Sequence, residues 1–129
     1  NSSEIQSATQ TLVGITDAIY LPIDSTILSA IPQIIDIALQ AKKPIYGSAP
    51  SMVTSGALAS VSVSEWETGR QAAQLADKYL QGIPINQIPA HVVDSFVHTV
   101  NQETAKALGL SLSANLVKTV ELVNTGRAK

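Results

Sequence analysis

The residues best placed to do chemistry are Asp24-Ser25-Thr26, which follow the apolar run Ala18-Ile-Tyr-Leu21 and the turn Pro22-Ile23. A strand that hands over to a helix there leaves unpaired N–H groups at the helix start, and in open α/β sheets ligands bind in that crevice. Asp24 reads first as an N-cap, because Asp is among the residues preferred for accepting from first-turn amides. The same carboxylate can take a ligand ammonium group through a charge-assisted hydrogen bond, and the two roles coexist. Ser25 and Thr26 offer backbone N–H groups and hydroxyls to a ligand carboxylate, or are ordinary first-turn residues. Ser48-Ala49, after the short strand Lys43-Pro-Ile-Tyr-Gly47, line the same crevice or form a plain loop. A small-molecule pocket is the first expectation.

Other chemistries find little support. No cysteine is present, which removes thiol nucleophiles, disulfides and Cys-ligated metals. The patterns Gly-x-Ser-x-Gly, Gly-x4-Gly-Lys and Gly-x-Gly-x-x-Gly are all absent. His91 and His98 stand an odd number of residues apart, so a regular strand would send them to opposite faces and one metal ion could not take both. Glu65 and Glu67, two apart on a helix, diverge. Asp24 as a nucleophile or base would lack a second group to help it. The expectation is a binding protein rather than an enzyme, with no metal and no cofactor.

The elements that must position these residues alternate along the chain. Ser3-Glu-Ile-Gln6 fits a capping box, and Ile5, Ala8, Leu12 and Val13 continue at helical spacing, so a helix over about 3–13 is expected, closed by Gly14. Ala18–Leu21 is a strand. A helix from Ser25 to about Ala41 carries a wide apolar face of Ile27, Ala30, Ile31, Ile34, Ile35, Ala38 and Leu39, with Pro32 expected to kink it. After the second strand a short helical stretch ends at Gly56, and Ala57–Val63 reads as a third strand. Ser64 and Glu67 have capping-box spacing for a long helix with an apolar stripe of Ala72, Ala73, Leu75, Ala76, Tyr79 and Leu80, and Gly82 stands where a C-cap glycine belongs. A proline-punctuated connection leads to a fourth strand, His91–Val100, then a short helix from Asn101 to Gly109 and a last one from Ser113 to about Val123. Alternating strands and helices imply an α/β fold, a mostly parallel sheet with helices on both faces.

With 45% hydrophobic and 14% charged residues over 129 positions, the chain can build a core, and that core must be aliphatic because only five aromatic rings of the Phe, Trp and Tyr types are present. Net charge is −2 and the basic residues are scattered, so nucleic acid is not an expected partner.

Asp17-Ala-Ile-Tyr-Leu-Pro-Ile-Asp-Ser, Lys43-Pro-Ile-Tyr, Ser55-Gly-Ala-Leu-Ala, Gly69-Arg-Gln-Ala-Ala, Gly82 and Val100-Asn…Thr104-Ala-Lys-Ala-Leu-Gly109 occur in that order. Together they resemble the substrate-binding proteins of ABC transporters, in the branch associated with aromatic amino-acid uptake, whose fold is the periplasmic-binding-protein type I fold. The resemblance implies two lobes that close on a ligand, of which this chain carries only the C-terminal part. Residues 1–56 would be part of the C-terminal lobe, 57–82 a segment returning to the N-terminal lobe, and 83–129 a return to the C-terminal lobe. Ser64 and Glu65 would then face the ligand from the other lobe, although Ser64 reads most simply as a helix cap and relatives more often carry Asp and an aromatic at these two places. The implied function is capture of a small molecule, an amino acid or similar zwitterion, for delivery to an ABC permease in the membrane. The implied location is periplasmic or extracellular, either free or as a membrane-anchored lipoprotein. A sheet lacking strands would expose edges, so the missing N-terminal part of the same protein or a swapped partner chain is a further expected partner. The alternative is the effector-sensing domain of a transcription regulator with the same fold, which an upstream helix-turn-helix would distinguish from a secretion signal.

Overall fold

The computed structural model describes residues 2–126. Apolar spacing decides its first half. In helix α2 (Ser25–Gln40) the residues Ala30, Ile31, Ile34, Ile35 and Ala38 are buried, each with another of them three or four positions away, so one stripe faces inward. That stripe packs on helix α1 (Ser2–Ile15) and on strands β1 (Ile19–Leu21) and β2 (Ile45–Gly47), whose Ile19, Leu21 and Ile45 point to the same side. Tyr20 and Tyr46 point the other way and stay exposed, as the two-residue period of a strand requires.

Two local expectations change. Helix α1 runs through Gly14, which keeps a negative φ, and ends where Thr16 returns both its N–H (3.0 Å) and its hydroxyl (2.8 Å) to the carbonyl of Leu12. Helix α2 passes Pro32 without interruption. Pro32 lies on the exposed side, where water can serve the carbonyl that the missing N–H frees.

Helix α3 (Pro50–Thr54) follows β2, and Gly56, with φ +118°, ends that stretch as expected. The sheet has the order β1-β2-β3-β4-β5, adding β3 (Ala59–Val63), β4 (Phe96–Asn101) and β5 (Glu121–Val123). Pairs β1–β2, β2–β3 and β4–β5 are parallel. Between β3 and β4 the Asn101 N–H reaches Leu58 O and the Ser64 N–H reaches Ser95 O, so that pair runs antiparallel. Helix α5 (Gln102–Ala107) follows β4, then α6 (Ala114–Val117). Leu110 and Leu116 line a cavity with Tyr46 and Val61, which puts this segment on the sheet face opposite α1 and α2. The α/β class, mostly parallel with helices, is thereby established.

The second half departs from expectation in three places. The last helix does not reach Val123: it stops at Val117, and Glu121–Val123 pair with Thr99–Asn101 as β5, because a free strand edge overrides a weak local helical preference. The fourth strand begins at Phe96, so His91 lies outside it. No residue of helix α4 (Glu65–Leu80) is buried, and Leu80, part of its expected apolar stripe, is 81% exposed.

The described chain divides into two compact units, one made of the residues up to Ser62 and from His98 onward, the other of Val63–Val97. Among the described residues no helix is long and apolar enough to cross a membrane. In the second unit, Ser64 caps α4 by accepting from the Glu67 N–H at 3.2 Å. The Glu67 carboxylate in turn accepts from Arg70, whose Nε lies at 2.8 Å, and from Gln71 Nε2 at 2.9 Å. The Arg70 hydrogen bond first, then that of Gln71, holds the Glu67 carboxyl down to about 2 from its usual 4.5. A depressed carboxylate contributes stability that is complete above its unfolded value and is lost as pH falls toward the folded one, so this contribution fades between about 4.5 and 2. An NMR titration of the Glu67 side chain is expected to show a midpoint near 2 that climbs toward 4.5 in Arg70→Leu. An ordinary midpoint in the parent would contradict the pairing.

Candidate functional site

The register of two strands sets the geometry. Leu21 lies opposite Gly47 in the parallel pair, so β1 and β2 end level and the loops that leave them start from the same edge of the sheet. One loop leads to Asp24, Ser25 and Thr26, the other to Ser48 and Ala49. Five of the seven expected residues thus lie along one rim of the first unit, at the carboxyl ends of its strands.

Asp24 is extended (φ −147°, ψ 138°) and its Oδ1 accepts from the N–H groups of Thr26 at 2.8 Å and Ile27 at 3.2 Å. Those bonds, Ile27's first, lower the pKa of the carboxyl, because an acceptor of amide hydrogen bonds is favoured in its ionised form. Asp24 is therefore an exposed, ionised cap. The arrangement differs from the expectation in one respect: the Thr26 amide is already bonded to Asp24, so it is not free for a ligand. Ser25 and Thr26 are both exposed.

Ser48 and Ala49 are half-buried, and Ala49 is the N-cap of α3 without a side-chain hydrogen bond. What fixes them lies behind. A Cβ on Gly47 would stand 2.7 Å from the Cβ of Met52, which is fully buried, so glycine is needed there for close approach rather than for an unusual φ. Met52 N–H bonds to Ala49 O at 3.1 Å.

Ser64 and Glu65 belong to the second unit, at the start of α4, with Ser64 half-buried and Glu65 exposed. Three cavities, each within one unit, are lined by none of these seven residues. A groove of about 1040 Å³ in the second unit is lined by Arg70, Asp77, Lys78, His91 and Asp94, and one of about 380 Å³ in the first by Tyr46, Leu58, Val61 and His98. Among the described residues no group of His, Asp and Glu is placed to hold a metal ion.

The sequence profile of ABC transporter substrate-binding proteins matches residues 1–123. The chain belongs to that family. It is similar to a tyrosine-binding protein of Clostridioides difficile (strain R20291), with 36% identity over 121 residues, covering 93% of this chain and 35% of the relative. Among solved structures it resembles a ligand-free, open substrate-binding protein with adhesive properties from Clostridium difficile, at TM-score 0.84 and 28% identity, over 98% of this chain and 42% of that one. It also resembles an ABC domain from Streptococcus pneumonia in complex with L-Trp, at TM-score 0.80 and 30% identity, over 95% and 42%. The chain thus spans little more than a third to two-fifths of these relatives.

Membership of the substrate-binding family gives the rim a context, and it directs attention to a residue that sequence reasoning treated only as a helix start. Asn101 is fully buried, with Nδ2 donating to Val53 O at 2.9 Å and Thr125 Oγ1 at 3.0 Å, and Oδ1 accepting from the Thr104 N–H at 3.0 Å. The local signal, Asn101 three before Thr104, gives the last bond only.

Proposed function

We propose that this chain is part of a solute-binding protein of an ABC importer that captures an amino acid with an aromatic side chain and delivers it to a membrane permease. The observation that carries the reading is the level ending of β1 and β2, which lines up an ionised, exposed Asp24 with Ser25, Thr26 and Ser48 on one rim. Asp24 takes the ligand ammonium group, and the hydroxyls of its neighbours serve the carboxylate. The names of the relatives, one binding tyrosine and one in complex with L-Trp, support the ligand class. Ser64 and Glu65 are further ligand contacts in this reading. No catalytic step is part of it. The protein works outside the cytoplasm, as a periplasmic or extracellular component held by a lipid anchor or free, and the remaining part of the same polypeptide completes the fold.

Titration calorimetry of the intact protein with tyrosine, tryptophan and phenylalanine tests this. Asp24→Asn keeps a side chain that caps well but removes the charge, so its thermal midpoint should stay close to the parent's while affinity falls about tenfold. An unchanged Kd in Asp24→Asn, or no binding across the panel by the parent, would sink the proposal.

A further inference from the structure

We propose that Thr104 and Asn101 are positioning residues for the ligand-contacting segment Ser48–Ala49, acting on it through helix α3. The inference rests on the reading of that segment given above. Helix α3 has five residues, too few to be stable by itself, and its carbonyls are served locally only by the amides at its end, Ser55 N–H to Ser51 O at 3.1 Å, Gly56 N–H to Val53 O at 3.0 Å and Ala57 N–H to Met52 O at 3.0 Å. Three groups remote in sequence reinforce that end and the turn just past it: Asn101 Nδ2 donates to Val53 O at 2.9 Å, the Gly126 N–H to Thr54 O at 2.9 Å, and Thr104 Oγ1 to the O of Gly56, two residues beyond the helix, at 2.9 Å. Asn101 is fully buried and Thr104 nearly so, which makes these bonds costly to lose.

The other end of α3 transmits the constraint. Met52 is locked against Gly47 with no room for a Cβ between them, and its N–H fixes Ala49 O. Helix α3 is therefore pinned at its C-terminal end by β4 and α5, and wedged against the end of β2 by Met52. A shift of α3 has no slack to absorb it before it reaches Ala49 and Ser48. Gly56, at φ +118°, packs closely on Ile35, since an added Cβ would stand 3.0 Å from Ile35 Cγ2. The clamp thus links β4 and α5 to the rim without touching a ligand.

Thr104→Val removes the hydroxyl at nearly constant volume, and Thr104→Ser keeps it. A merely structural role lowers the fraction of protein able to bind but leaves the Kd of the folded protein alone. In the intact protein, calorimetry with tyrosine or tryptophan should give a Kd raised about fivefold in Thr104→Val at unchanged stoichiometry, with Thr104→Ser returning to the parent value. In the ligand-free protein, the amide protons of Met52 and Ser55 should exchange about tenfold faster in Thr104→Val while those of Ile34 to Ala38 do not change. A Kd indistinguishable from the parent's in Thr104→Val, or exchange that accelerates equally in α2 and α3, would overturn the positioning role. A parent that binds no amino acid overturns the functional reading instead, and the exchange pattern then decides the clamp: local acceleration in α3 supports it, and its absence refutes it.

Discussion

Gly47→Ala is expected to destabilise the protein by about 2 kcal/mol, the usual scale of an overpacked core. The added Cβ would lie 2.7 Å from Met52 Cβ and 3.0 Å from its Sδ. Met52 has no exposed surface to swing toward, and its Cβ is fixed to the backbone of α3, so either the end of β2 or the whole of α3 must move. Gly47 is not at positive φ, which separates this steric cost from a conformational one. The separation can be measured. Met52→Ala alone should cost about 2–5 kcal/mol as a cavity. In the double variant the Sδ contact is relieved but the Cβ contact stays, so the two changes should be less than additive without cancelling. Denaturant midpoints of the parent, both single variants and the double variant decide the matter, and a Gly47→Ala midpoint equal to the parent's would show that the close approach is not there. Because Ser48 follows Gly47 directly, the proposed function adds that weaker amino-acid binding should accompany the loss of stability.

What could be read from the sequence is what neighbours in sequence decide. The apolar stripe of α2 recurs at three and four residues, and its burial follows from that period alone. The caps Asp24, Ser64, Asn101 and Ser113 each accept an amide two or three residues ahead, and Gly56, Gly82 and Gly109 take positive φ just after helices. The rim was legible for the same reason: a strand end and a helix start are both local events, and only their level ending needed the sheet. What stayed hidden depends on distant partners. Glu121-Leu-Val123 has no strong bias of its own, and becomes a strand because β4 offers it an edge. The stripe of α4 has the right period, yet nothing among the described residues buries it, since periodicity states a capacity and not a partner. Asn101 looks like an ordinary cap in sequence, while the atoms it holds, on Val53 and Thr125, lie 48 and 24 residues away. That the Thr26 amide is consumed by its own cap is local, but it is visible only once the φ and ψ of Asp24 are known.

Asn101→Asp is expected to destabilise the protein by about 3 kcal/mol at neutral pH and by much less in acid. The substitution keeps the shape and the oxygen that accepts from the Thr104 N–H, but replaces a donating NH2 with a carboxylate oxygen facing Val53 O. Two acceptors then confront each other at a site with no exposed surface, where neither can turn to water. A protonated carboxyl would restore a donor toward Val53 O or Thr125 Oγ1, so the folded state favours protonation and raises the introduced group's pKa above its unfolded value of about 3.9. A raised folded pKa means that the stability is present below the unfolded value and lost as pH rises through the folded one, so the deficit relative to the parent should open from about pH 4 upward. Comparing parent and variant at each pH removes the separate acid sensitivity of the Asp24 and Glu67 carboxylates, which act in the opposite sense and are common to both proteins. Denaturation midpoints measured in parallel at acid and neutral pH should therefore converge in acid and diverge toward neutrality. A deficit of the same size at every pH would mean that the carboxyl finds solvent, and that the Asn101 amide does not face Val53 O in a closed site.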